Sequence, residues 1–259
     1  MIPNTPRSPL GLRFCAVVCA LGLAPIAVSA DPSYSLNYTD SFTVLDQSRW
    51  QVEDNVSWDN NYCSIENTNQ WVSDGSLYLR FKTTDYANAT NGRASTGAEL
   101  RTNAYYTYGK FKARIKAASG GGLDTGFFLY RPEAPWQEID YEFLGSQPTN
   151  VHLNVFYNTG SGTDGSLAAQ SPQNVPLGFD FSADFHDYEI VWGPGYIEWW
   201  VDGIRMGTDN TNIPDMPMRL YVNIWFPNPS WWPLSGPLFS GGGDRVSQVD
   251  WVQYYQYNP

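Results

Sequence analysis

The chain has 259 residues, 42% of them hydrophobic, which is enough to bury one large core. Its formal charge of −11, with 15 Lys and Arg against 26 Asp and Glu, excludes nucleic acid and anionic membranes as partners, and no basic run offsets it. Aromatic residues reach 16%, including 11 Trp and 17 Tyr, and amphipathic rings in that number suit flat, weakly polar ligand faces such as those of sugars.

At the N-terminus, Arg7 and Arg13 precede an apolar run from Phe14 to Val28 that ends in Val28-Ser29-Ala30. A charged start, a short apolar stretch and small residues before Asp31 predict a secretory signal over 1–30, cleaved near Ala30, with one domain over 31–259. A membrane anchor is the alternative, but the run falls short of the ~20 residues that a span needs. No later segment is apolar enough to cross a bilayer, so a soluble, exported monomer is expected, extracellular or periplasmic. Losing Arg7 and Arg13 takes the formal charge from −11 to −13. Cys15 and Cys19 leave with the same segment, so Cys63 stands alone and no intramolecular disulfide can form. Cys63 reads as a small buried hydrophobe. Sequons at Asn37, Asn55 and Asn88 matter only in a eukaryotic source.

From Tyr34 onward the pattern has period two. Leu77, Leu79 and Phe81 alternate with Tyr78, Arg80 and Lys82 after an Asp74-Gly75 turn. Phe111, Ala113 and Ile115 alternate with Lys110, Lys112, Arg114 and Lys116. Tyr188, Ile190 and Trp192 lead through Gly193-Pro194-Gly195 into Ile197, Trp199 and Val201, which end at Asp202-Gly203. Leu220, Val222 and Ile224 mark another strand, and VDWVQYYQY closes the chain. No stretch keeps a helical period over twelve residues. Short strands separated by Gly, Pro, Asn and Asp predict an all-β fold of two packed antiparallel sheets. Residues 227–243 (PNPSWWPLSGPLFSGGG) form a long Pro/Gly loop, a length more often functional than neutral.

One strand carries the chemistry. In WQEIDYEFLG, Glu138, Asp140 and Glu142 alternate with Ile139, Tyr141 and Phe143. On a helix Asp140 would point away from the other two; on a strand all three share a face while the apolar residues pack behind. Cα atoms four residues apart on a strand are ~13 Å apart at ~3.4 Å per residue. Side chains leaning together bring the carboxyls of Glu138 and Glu142 to about 5 Å, the separation of retaining rather than inverting glycosidases. Like charges on one face cannot all ionise cheaply, so one Glu can stay an acid while the other is an ionised nucleophile, with Asp140 sharing a proton between them. A solvated acidic stripe, or a Ca²⁺ or Mg²⁺ site, would use the same residues.

EIDYEFLG resembles the E-x-D-x-E strand of family 16 glycoside hydrolases, the group of lichenases and xyloglucan endotransglycosylases, and the likeness covers most of the mature chain. GAELRT (97–102) with YYTYGKFKARIKAA, and GFFLY (126–130), look like the family's preceding strands. HLNVF (152–156) is similar to a plant H-T-N-V-F stretch, FHDYEIVWGPGYIEWWVDG (185–203) to F-H-x-Y…W…Y-V-D-G, and MPMRLYVNIW (216–225) to P-M-R-L-Y and N-L-W together. The resemblance implies a jelly-roll sandwich with a concave sugar cleft, Glu138 as nucleophile, Asp140 as its helper and Glu142 as acid/base. It implies that Glu99, Arg101, Asn154 and Trp225 contact sugar. His152, on the face of Asn154 and the carboxylates, and Trp231 or Trp232 in the long loop are expected to join them. No cofactor is required. A structural Ca²⁺ with Asp250 as a contributor is a family feature, its ligand set left unknown by the sequence.

Two departures shape the expected substrate. The disulfide of some lichenases has no counterpart here. The catalytic strand lacks the extra residue of agarase- and laminarinase-like branches, which argues against agar, carrageenan and pure β-1,3-glucan. The expectation is a retaining endo-β-glucanase for mixed-linkage β-1,3-1,4-glucan. A xyloglucan-active hydrolase or transglycosylase and a non-catalytic, lectin-like glucan binder are the alternatives.

Overall fold

A computed structural model of the chain describes residues 33–58, 61–85, 89–90, 92–158 and 169–259, the side chains of Trp231 and Trp232 excepted. The expected signal segment 1–30 and the Asn88 sequon lie outside the described residues; Asn37 and Asn55 are exposed.

In chain order the strands begin with β1 (Tyr34–Asp40), β2 (Trp50–Val52), β3 (Cys63–Ile65), β4 (Gln70–Ser73), β5 (Ser76–Lys82) and β6 (Ser95–Thr102). There follow β7 (Gly109–Lys116), β8 (Asp124–Arg131), β9 (Gln137–Leu144), β10 (Asn150–Tyr157), β11 (Ala169–Gln170) and β12 (Gln173–Pro176). The last are β13 (His186–Gly193), β14 (Tyr196–Val201), β15 (Ile204–Asp209), β16 (Arg219–Trp225) and β17 (Asp244–Tyr257). Among the described residues, the α-helix is α1 (Trp232–Ser235), and no helix is long and apolar enough to cross a membrane.

Pairing runs β2–β6–β16–β8–β9–β10–β12 through a curled inner sheet, with β11 also on β10. In the outer sheet β17 pairs with β5 and β1 on one side and β7 on the other, and β7 continues to β13, β14 and β15. The expected hairpin turns are present: Asp74 and Gly75 have φ of 51° and 73°, and Asp202 and Gly203 have 48° and 79°, the paired positive values that tight hairpins need. The structure departs from two separate antiparallel sheets in one place. The first residues of β6 pair with β5 and, in parallel, with β3, while its later ones pair with β16 and β2, so β6 serves both sheets.

The core lies between the sheets and positions the carboxylate strand. Ile139, Tyr141 and Phe143 are fully buried, and full burial of Ile139 or Phe143 contributes about 1.5–3 kcal/mol each. Phe143 meets the Tyr188 ring at 4.6 Å. Two hydrogen bonds then cross the core. The Trp199 Nε1–H donates to the Asp140 carbonyl at 2.9 Å, and the Tyr141 hydroxyl donates to the Trp200 carbonyl at 2.9 Å. β9 is therefore fastened from behind to β14, and the direction of its outward side chains is fixed.

Candidate active site

Register places the outward residues of the inner sheet in rows. One row runs Glu99 (β6), Asn223 (β16), Gly126 (β8), Glu142 (β9), His152 (β10). The next runs Arg101, Tyr221, Phe128, Asp140, Asn154, and a third runs Arg219, Tyr130, Glu138, Phe156. Trp225 stands opposite Asp124 in a row on the far side of Glu142. Eight of the residues expected from sequence thus share one face. Neither the β8–β9 nor the β9–β10 ladder shifts register, so β9 is unbulged.

Each expected residue has identifiable neighbours. Glu99 is buried and accepts a hydrogen bond from Asn223 Nδ2 at 2.9 Å; burial pushes its pKa up to about 7. Arg101 is held by Glu53 through its Nε. His152 Nε2 lies 3.6 Å from Glu142 Oε2, and burial lowers its pKa, which keeps the ring neutral. The Trp225 ring lies 5.6 Å from that of Trp58.

The carboxylates are the unusual part. Burial raises Glu138 to about 8, and it raises Asp140 and Glu142 well above the ordinary carboxylate range, with their mutual repulsion adding to the effect. A fourth carboxylate, Asp124, is raised by burial to about 7. Asp140 Oδ2, Glu142 Oε2 and both Asp124 oxygens are buried with no donor aligned on them. Glu138 lies against Asp140 and Glu142 against Asp124, so the four carboxyls form two adjacent pairs, and each group holds a proton more readily than an exposed carboxylate does. One face of β9 therefore carries Glu138 and Glu142 four residues apart with Asp140 between them, carboxyls whose raised pKa values suit proton exchange.

Aromatic rings flank this cluster. Phe128 stacks on Tyr221 at 5.1 Å, Tyr221 meets Tyr130 at 5.6 Å, and Trp136 meets Phe156 at 4.8 Å. On the β10 side His152, Asn154 and Phe156 line an open 340 Å³ pocket together with Ser230, Pro233 and Leu234 of the long loop. The backbone of Trp231 and Trp232 belongs to that loop segment; their side chains lie outside the described residues. The loop is also anchored: Gly122 N–H donates to the Ser235 carbonyl at 2.8 Å, Phe239 N–H to the Gly121 carbonyl at 2.9 Å, and Leu238 and Phe239 pack on the core.

Comparisons with known proteins identify the family. Residues 53–251 match the family described as "Glycosyl hydrolases family 16". A β-glucanase of Paenibacillus polymyxa is 32% identical over 224 residues, covering 84% of this chain and 87% of that one. The chain belongs to glycosyl hydrolase family 16. This family 16 enzyme is also similar to a prokaryotic β-1,3-1,4-glucanase (lichenase) from a mouse hindgut metagenome, at 29% identity and TM-score 0.74 over 84% of this chain and 97% of that one. The laminarinase catalytic domain of Thermotoga maritima, at 23% identity and TM-score 0.71 over 88% of this chain and 100% of that one, shares the fold.

Two groups on the family 16 enzyme's face are not among the residues expected from sequence. Phe128, Tyr130 and Tyr221 are recoverable in part, because Phe127 and Leu129 claim the core parity and leave Phe128 and Tyr130 outward. Asp124 has that same outward parity in GLDTGFFLY, and its partner is 18 residues away across a strand pair. Elsewhere, Cys63 is buried with its pKa pushed up to about 12 by that burial, an inert thiol. Asp250 faces the Arg114 guanidinium at 3.5 Å.

Proposed function

We propose that this family 16 hydrolase is an exported, retaining endo-β-glucanase acting on mixed-linkage β-1,3-1,4-glucan. The observation that carries the reading is geometric: Glu138 and Glu142 stand on one face of the unbulged β9 with Asp140 between them, in register with Glu99, Arg101, Asn154 and His152. Glu138 attacks the anomeric carbon while Glu142 gives its proton to the departing glycosidic oxygen. Water, losing a proton to Glu142, then releases the sugar from Glu138. Asp140 donates to Glu138 and fixes its attacking oxygen. Glu99, Arg101, Asn154, His152 and Trp225 line the same face and supply sugar contacts, and the rings beside them stack on sugar faces.

The substrate assignment is supported by the unbulged β9 and by the likeness to the hindgut lichenase. Export is supported by the composition of residues 1–30. Reducing-sugar release from barley mixed-linkage glucan, laminarin and xyloglucan tests the reading. The first should be cleaved fastest. Preference for laminarin or xyloglucan would replace the substrate, and binding without release from any of them would mean a lectin-like sandwich.

A further inference from the structure

Asp124 has no role in the mechanism above, yet its position is specific. It is 1% exposed, and neither oxygen meets an aligned protein donor. A carboxyl this deeply buried is expensive unless its neighbours share a proton with it or donate to it. On β8 it is two residues from Gly126, which lies directly across from Glu142, and this makes Asp124 the diagonal neighbour of Glu142. Gly126 leaves the position between them without a side chain. A Cβ there would meet Asn223 Oδ1 at 2.7 Å, so close packing on β16 requires glycine at this position. This register and the shared electrostatics of the two groups bring the Asp124 carboxyl beside that of Glu142, with Trp225 directly across from Asp124.

We propose that Asp124 is the positioning residue of the acid/base: its carboxylate accepts the Glu142 O–H and holds that proton in place until the leaving oxygen takes it. The inference rests on Glu142 being the general acid. In the first step the Glu142 O–H bond breaks, the proton passes to the glycosidic oxygen, and the C–O bond electrons leave with that oxygen. Glu142 is then a carboxylate beside Asp124, and the repulsion makes it a stronger base toward water in the second step, which returns its proton. The other groups around Glu142 do not supply this function. Glu138 and Asp140 on β9 form their own pair, Glu99 on β6 lies beyond Asn223, and His152 on β10 is neutral. Among the described residues no Lys or Arg is in ion-pair contact with Glu142.

The test uses the full chain carrying Asp124→Asn, which keeps the shape, and Asp124→Val, which removes both charge and acceptor, beside Glu142→Gln. Thermal melting confirms that each variant is folded. With the acceptor and its charge gone, Glu142 loses its proton more easily, so the alkaline limb of kcat/KM on mixed-linkage glucan should move about one pH unit toward acid. Turnover of glucan at neutral pH should fall about tenfold, while an aryl glycoside whose leaving group needs no protonation should lose little in its first step. An unmoved alkaline limb, or equal losses on both substrates, would overturn the role of Asp124. Retained glucan hydrolysis by Glu142→Gln would instead remove the acid assignment on which the role depends.

Discussion

The tripeptide Asp-Tyr-Glu occurs twice in this chain, as Asp140-Tyr141-Glu142 on β9 and as Asp187-Tyr188-Glu189 on β13. In both places the Tyr is fully buried between the sheets and the two acids point the other way. The difference lies in the neighbouring strand. Asp187 stands opposite Arg114 and pairs with it at 2.9 Å, and Glu189 stands opposite Lys112 and pairs at 3.1 Å, both part-exposed on the outer sheet. Asp140 and Glu142 stand opposite Phe128, Gly126, Asn154 and His152, and their charged neighbours are other carboxylates. One copy is an ordinary surface ion-pair ladder. The other stores repulsion, which costs stability and leaves protons available for transfer. Residue type and alternation are equal in the two, so cross-strand register decides which one can do chemistry.

Substitution at matched positions separates the two copies most strongly in turnover. Glu142→Gln and Glu138→Gln should each lower kcat on glucan by about 10³-fold or more, in line with loss of acid/base or nucleophilic catalysis, with the fold intact by circular dichroism. Glu189→Gln should leave kcat within about twofold, since a surface pair does not touch substrate. Near-normal activity of either β9 variant would dissolve the contrast. Asp140→Asn should cost less than its neighbours, about 10–10²-fold, because it orients Glu138 without bonding to the sugar.

Stability should show the opposite order. Glu138, Asp124 and Glu99 have folded-state pKa values raised to about 8, 7 and 7, above the ordinary values of 4.5, 3.8 and 4.5, so folding takes up protons there. Their contribution is fully present below pH 4 and is lost as pH rises through 7 to 8. The melting temperature should therefore fall between pH 5 and pH 8, and Glu138→Gln should flatten that slope by raising the melting point at pH 8. A change of about 2–4 °C per kcal/mol makes the effect readable by calorimetry. A melting point that rises over this range in the wild type would contradict the stored repulsion. The smallest effect belongs to the outer ladder, where Lys112→Met should cost about 0.2–1 kcal/mol and fade with added salt.

Much of this arrangement is legible in the amino-acid sequence. The alternation through 138–143 determines which face each side chain takes, and the Asp-Gly turns at 74–75 and 202–203 mark hairpins because their positive φ values narrow the choice of residue. The family resemblance points to Glu99, Arg101, Asn154 and Trp225, strand parity adds His152, and each falls on the carboxylate face. Asp124 is not legible, because nothing local distinguishes an outward Asp from a solvated one; only the β8–β9 register brings it beside Glu142. The stack of Phe128 on Tyr221 joins residues 93 positions apart, and the double service of β6 depends on sheet closure, which period-two patterning does not encode.

The central claim is the division of labour between Glu138 and Glu142, and the products of azide rescue test it most directly. Both Glu142→Ala and Glu138→Ala would be given the same β-linked substrate with a good leaving group, and the anomeric configuration of the azide product read by proton NMR. In Glu142→Ala the glycosyl-enzyme still forms, and azide, which needs no deprotonation, releases it after a second inversion as the β-azide. In Glu138→Ala the nucleophile is missing, and azide displaces the leaving group once to give the α-azide. A β-azide from the first and an α-azide from the second is the result expected here, and the reverse pattern would exchange the two roles.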